Sequence, residues 1–276
     1  MLPSIIKWLH QFPNIYIWLT IVAMNILLFL VLPLIVRTAL KITINAEVAR
    51  GADDAFKNVV TLSMALIAFS LVQVEGLHRN VADLVSREGA ILLKFDRTLD
   101  EHPGSGAGLV EKPLRAYVAS IVQNEWPAMA GGGRGADTPA KLAALSASIG
   151  QLDNGVLEDA SLLGELRGQF IQVKDIRDAR LASSHMNLSP YFWWGILAAM
   201  TSLMVLGWFQ TPVEKAIPYV AGIAIGLSTL LSILIVSAGI FEGESRVQPD
   251  AIARTLALIE LPQAASAPRS SAPAER

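Results

Sequence analysis

The chain has 276 residues and a formal net charge of −2, and only 17% of its residues are charged, against about a quarter in an ordinary soluble domain. A charge this close to neutral leaves no electrostatic case for a nucleic-acid partner. The absence of cysteine excludes disulfides, thiolate metal sites and a cysteine nucleophile, and His10, His78, His102 and His185 are too scattered for a metal site, so no metal or other cofactor is expected.

A helix needs about 20 mostly apolar residues to cross the hydrocarbon core of a bilayer. The first such run, Ile15 to Val36, carries no charge, has Trp18 near one end and is followed by Arg37 and Lys41. It exceeds the roughly 7–15 apolar residues of a secretory signal, and no small-residue cleavage site follows, so it reads as a retained anchor. The second, Val59 to Val74, is shorter and carries Thr61, Ser63, Ser70 and Gln73. It reads as a span extended by Phe56, because hydroxyls in a membrane helix can bond neighbouring carbonyls or line a wet path.

From Glu75 to Glu101 the pattern continues without a strong breaker, and Leu77, Val81, Leu84, Glu88, Leu92, Phe95 and Leu99 recur at spacings of four and three. The second span is therefore predicted to run on as one long helix until His102, Pro103 and Gly104. A helix is predicted over Lys112 to Trp126, ended by Pro127 and the glycines at 131–133 and 135. Another is N-capped by Thr138 ahead of Pro139, and a last begins near Asp153 and passes Arg180. No strand alternation is visible.

The third apolar run, Tyr191 to Phe209, has aromatic residues at both ends, as at the two faces of a bilayer. The fourth, Ile217 to Phe241, contains the Gly222–Gly226 spacing, which permits close helix packing and also arises by chance. A short helix is expected over Arg254 to Leu261, and the Ala, Pro, Ser and Arg residues beyond have little to bury.

These segments predict an all-α integral membrane protein with four transmembrane helices and a helical cytoplasmic domain between the second and third. Residues 1–74 hold the first two spans, 75–189 the inserted domain, 190–241 a transmembrane hairpin and 242–276 a largely disordered tail. Basic residues near the membrane, among them Lys7, Arg79, Arg87 and Arg246, are more numerous on the side shared by both termini and the inserted domain. That side is expected to be the cytoplasm, with the protein multi-pass in the cell's inner (plasma) membrane.

No nucleotide-binding loop, G-x-S-x-G, H-E-x-x-H or CxxC motif occurs, so an enzyme is not expected. Glu88 and Glu125 interrupt apolar stripes, and the simplest reading pairs them with Arg177 and Arg180 as structural ion pairs. Acid–base work or ion coordination is the alternative. On the second span, Phe56, Val60, Ser63, Ile67, Ser70 and Val74 share one face. Apolar rings interleaved with hydroxyls suit a narrow pore; close packing through Ser63 and Ser70 is the competing explanation.

Asn45, Phe56, the run Ala65-Leu66-Ile67-Ala68-Phe69, Arg87-Glu88, Tyr117, Glu125-Trp126-Pro127, Arg177, Arg180-Leu181, Pro190 and Trp193-Trp194 occur in that order. This order, over about residues 45–245, resembles the bestrophin-like family of bacterial and plant membrane proteins, a domain of unknown function distantly similar to bestrophin channels. The resemblance implies a homo-oligomer, pentameric in bestrophins, that conducts small anions across the lipid bilayer through a pore lined by the second helix. It places Ser63, Ile67, Phe69 and Ser70 near the pore axis. The pore-lining candidates are thus Phe56, Val60, Ser63, Ile67, Phe69, Ser70 and Val74. A non-conducting membrane scaffold or sensor that signals through the long second helix is the other function considered.

Overall fold

The computed structural model describes residues 12–40, 44–102, 108–131, 133, 135–153, 160–184, 188–209, 213–241, 243 and 246–266. Among these the regular structure is entirely helical. Contacts divide the chain into two compact units, one of Met1–His78 and Met186–Arg246, the other of Arg79–His185 and Val247–Arg276.

The first unit holds the apolar helices. α1 (Asn14–Ile26) passes through a π-helical turn (Leu27–Val31) into α2 (Leu32–Leu40), so the first apolar segment stays helical beyond Val36. Pro33 lies in the first turn of α2, where the wider turn before it relieves the clash that a proline ring makes inside an α-helix. α3 (Ala46–Asp100) is one helix of 55 residues. It starts well before Val59, and about 20 residues would cross a bilayer core. α8 (Pro190–Gly207) and α9 (Val213–Ala238) follow the second unit in the chain, and the turn between them lies largely outside the described residues. α1 together with its π turn, α3, α8 and α9 each carry a stretch long and apolar enough to cross a membrane.

Apolar side chains from all four helices form the core of this unit, with Ile17 and Ile21 of α1, Phe56 and Ile67 of α3, Ile196 and Leu203 of α8 and Leu227 and Leu234 of α9 buried together. Polar side chains add direction. Asn25 Nδ2 donates to Ser228 Oγ at 2.8 Å, and Trp18 Nε1 to Thr229 Oγ1 at 3.1 Å, which fixes α1 against α9. Gly195 brings α8 onto α3, since a Cβ there would meet Leu66 Cδ2 at 3.1 Å. The Gly222–Gly226 pair does not act in this way: among the described residues, no other helix comes within 4 Å of a Cβ built at either position.

The second unit holds the rest of α3 and six further helical segments. α4 (Gly108–Ser120) leads through a second π turn (Ile121–Glu125) into α5 (Trp126–Ala130), followed by α6 (Thr138–Asp153), α7 (Ala160–Ser183) and α10 (Asp250–Ser266). Pro127 was expected to end the helix, yet it lies in the first turn of α5, where a proline is tolerated. Thr138 is the first helical residue rather than the N-cap; its hydroxyl donates instead to the Ser120 carbonyl at 3.2 Å. α10 begins at Asp250, four residues ahead of the helix expected from Arg254, and buries Ile252, Thr255 and Ile259. Residues 267–276 of the expected tail lie outside the described residues.

Candidate functional site

Two sets of residues singled out by the sequence end in different surroundings. The first is in the second unit, where α3, the π turn after α4 and α7 bring Glu88, Glu125, Arg177 and Arg180 together away from water. Arg180 Nε donates to Glu88 Oε2 at 2.6 Å and its Nη2 to Glu88 Oε1 at 3.1 Å, a two-pronged contact that only a guanidinium can make. The same Nη2 donates to Glu125 Oε1 at 2.6 Å. Arg177 completes the group, its Nε donating to Glu125 Oε2 at 3.0 Å and its Nη2 to the same oxygen.

Two carboxylates therefore meet two guanidiniums, and the cluster is neutral. Burial opposes the charge on Arg180, but Glu88 and Glu125 beside it raise its pKa above the ordinary arginine value. The Trp126 ring covers the guanidinium, 5.3 Å from ring centre to Arg180 Cζ. Tyr117 lies in the same interior with its hydroxyl buried and unpartnered; burial, and then the Glu88 charge, push that hydroxyl well above its usual range and keep it neutral. Both oxygens of each carboxyl thus face a guanidinium, and burial, which outweighs the neighbouring Arg180 charge, holds the Glu88 carboxyl above its usual range. Among the described residues no group of His, Cys, Asp and Glu could hold a metal ion. The arrangement ties three helices together.

Gly135 was read from the sequence only as part of a loop, but it supports this cluster. A Cβ there would stand 2.7 Å from Glu125 Cα and 3.0 Å from Glu125 N, so only glycine lets the loop lie against the π turn that carries the carboxylate. Gly135→Ala is expected to destabilise the fold by about 1–3 kcal/mol, as overpacking does elsewhere, read as a lower midpoint in thermal unfolding. An unchanged midpoint would show that the loop does not bear on Glu125.

The second set is the face of α3 that carries Ser63 and Ser70. Phe56, Val60, Ser63, Ile67, Ser70 and Val74 are all buried within a single protomer. Ser63 Oγ donates to the Val59 carbonyl at 2.6 Å and Ser70 Oγ to the Leu66 carbonyl at 2.8 Å, so both hydroxyls are satisfied inside their own helix. Of the seven pore-lining candidates only Phe69 is exposed, at 54%, together with Thr61, Leu62, Ala65, Ala68, Val72 and Gln73 on the opposite face. Phe69 also touches Phe192 of α8, with ring centres 5.8 Å apart. The interior stripe was visible in the sequence, but the side to which it turns was not.

A family model of the Bestrophin-like domain matches residues 53–252, from the first turns of α3 to the start of α10. The chain belongs to the bestrophin-like family. No curated protein matches it by sequence. Among solved structures it is similar to a bacterial bestrophin homologue from Klebsiella pneumoniae, at a TM-score of 0.61 and 14% identity, covering 92% of this chain and 99% of that one. A variant of that homologue with a Leu-to-Thr substitution gives 0.60 at 12% identity, covering 91% and 98%. A crystal structure described as a membrane protein with a Gly-to-Ala substitution gives 0.61 at 13%, covering 93% and 99%. At such low identity these matches speak for the fold: a bestrophin-like helical membrane protein.

Proposed function

We propose that the protein is an ion channel built from several copies of this chain, five by analogy with bestrophins, which conducts small anions through a pore lined by the exposed face of α3. Four spans, α1, the apolar part of α3, α8 and α9, cross the cell's inner membrane. The second unit and both termini lie in the cytoplasm.

The observation that carries this reading is the two-sidedness of α3. Its inner face is sealed by its own protomer, hydroxyls included, while Leu62, Ala65, Phe69 and Val72 face outward. An apolar ring repeated around a symmetry axis would form a narrow passage that gates by dewetting. Membership of the bestrophin-like family and the continuity of α3 from its apolar part to Asp100 support the same reading.

Purified protein in a planar bilayer, in symmetric chloride, is expected to give discrete conductance steps whose reversal follows the anion gradient when the solutions are made unequal. Intact oligomers that pass no current in chloride or potassium salts would sink the channel and leave the scaffold or sensor.

A further inference from the structure

The C-terminal helix plays no part in the reading above, yet the segment that leads into it reaches the ion-pair cluster through one side chain. The Trp126 ring lies over the Arg180 guanidinium, and its Nε1 donates to the Val247 carbonyl at 3.3 Å. Trp126 is 6% exposed. An indole N–H is a donor only, and a buried one needs an acceptor. Val247 therefore holds the ring in the place where it shields Arg180.

α10 itself closes on the residue next to Glu88. A Cβ at Gly89 would stand 3.0 Å from the carbonyl carbon and oxygen of Ala251 and 3.2 Å from its Cβ, so glycine lets the two helix backbones approach here. Thr255 Oγ1 donates to the Gly89 carbonyl at 3.0 Å. Further along, Arg115 Nη2 of α4 reaches the Ile259 carbonyl at 3.5 Å, and Ile252 and Ile259 are buried. The segment from Val247 to Ile259 is thus fastened to α3, α4 and α5, and two of its attachments adjoin members of the cluster.

Charges in an interior attract one another strongly only while water is kept out. Glu88, Glu125 and Arg180 are fully enclosed. We propose that residues 247–259 form a strap that keeps this cluster dry, with Trp126 as the side chain that transmits its seating. When the strap lifts, the indole N–H loses the Val247 carbonyl and turns to water, and the ring leaves Arg180. The close contact at Gly89 parts beside Glu88 in the same movement. Water then reaches the guanidinium, and the tie between α3, the π turn and α7 loosens. Whatever seats or lifts the strap sets the strength of that tie, whether or not the protein conducts.

The competing account makes α10 one more packed helix, so that the cluster meets water only when the whole unit unfolds. Arginine modification by phenylglyoxal, located by peptide mass spectrometry on the full chain in lipid nanodiscs, separates the two. Arg180 is expected to react at least about a hundredfold more slowly than the exposed Arg97, because it reacts only during openings. Trp126→Phe keeps a ring over the guanidinium but has no N–H for Val247. One hydrogen bond of ordinary strength shifts an opening equilibrium about threefold to tenfold, and Arg180 labelling is expected to rise by that factor. Gly89→Val presses on Ala251 and is expected to raise it further. Ile149→Val, in the core of α6, takes a comparable amount of stability from the same unit. It is expected to leave Arg180 labelling unchanged, because lifting the strap does not unfold α6. Three results would overturn the proposal: Arg180 as reactive as Arg97 in the unaltered protein, labelling unmoved in Trp126→Phe or in folded Gly89→Val, or labelling raised as much by Ile149→Val as by Trp126→Phe.

Discussion

Arg180→Met is expected to leave the second unit unfolded or unable to assemble, the largest stability loss among the substitutions considered. The methionine fills much of the same volume but leaves Glu88 with no cation and Glu125 with Arg177 alone, in an interior closed to water. Breaking a buried ion pair from one side costs about 3–5 kcal/mol, a large part of the roughly 5–15 kcal/mol that holds a domain folded. Removing both partners should cost much less. In Glu88→Leu with Arg180→Met, Glu125 keeps Arg177 and no carboxylate is stranded, so most of the lost thermal stability is expected to return. Arg180→Lys keeps the charge without the fork and should fall between. Unfolding midpoints and oligomer yield in detergent decide it. A single mutant as stable as the unaltered protein, or a double mutant no better than the single, would mean that the cluster does not hold the helices.

This cluster was readable in the sequence because a charge inside an apolar stripe has few physical excuses. Glu88 and Glu125 each break a helical repeat, and Arg177 and Arg180 are spaced so that both can turn towards one interior. The support around it was not readable. Gly135 looks like any loop glycine until a Cβ is placed against Glu125. The π turn over Ile121–Glu125 has no local signature, and it lets the helix pass into α5 despite Pro127. α10 was expected too short because Asp250 to Ala253 offer only one large apolar side chain, Ile252.

The membrane part divides along a different line. In water an apolar stripe marks the buried face of a helix. In lipid both faces are apolar, and periodicity gives the phase of a stripe without saying which side faces the protein. The hydroxyls of Ser63 and Ser70 pointed to a wet path, but a serine in a helix can satisfy itself on the carbonyl four residues back, and both do. Four helices long and apolar enough to cross a membrane were therefore readable from hydropathy, whereas the inward turn of the serine stripe needed the packing of α1, α8 and α9 around α3.

That inversion gives the second large effect, and it tests the proposed pore. If the outward face of α3 lines the passage, trimming its largest side chain widens the narrowest apolar ring. Phe69→Ala is expected to raise single-channel current, because a barrier lower by about 1 kcal/mol passes ions roughly fivefold faster. Leu62→Ala should act in the same direction with a smaller step, and Ser63→Ala and Ser70→Ala should leave current and selectivity unchanged, since neither hydroxyl faces out of the protomer. Ser63→Leu and Ser70→Leu press extra volume into a filled core and are expected to reduce assembly, not to block flux in assembled protein. The contrast between the faces also separates a pore from a lipid contact. A lipid-facing Phe69 could be trimmed with no change in current, and a pore on the serine face would make Ser63→Leu and Ser70→Leu non-conducting in intact oligomers. Either result would move the permeation path away from Leu62 and Phe69.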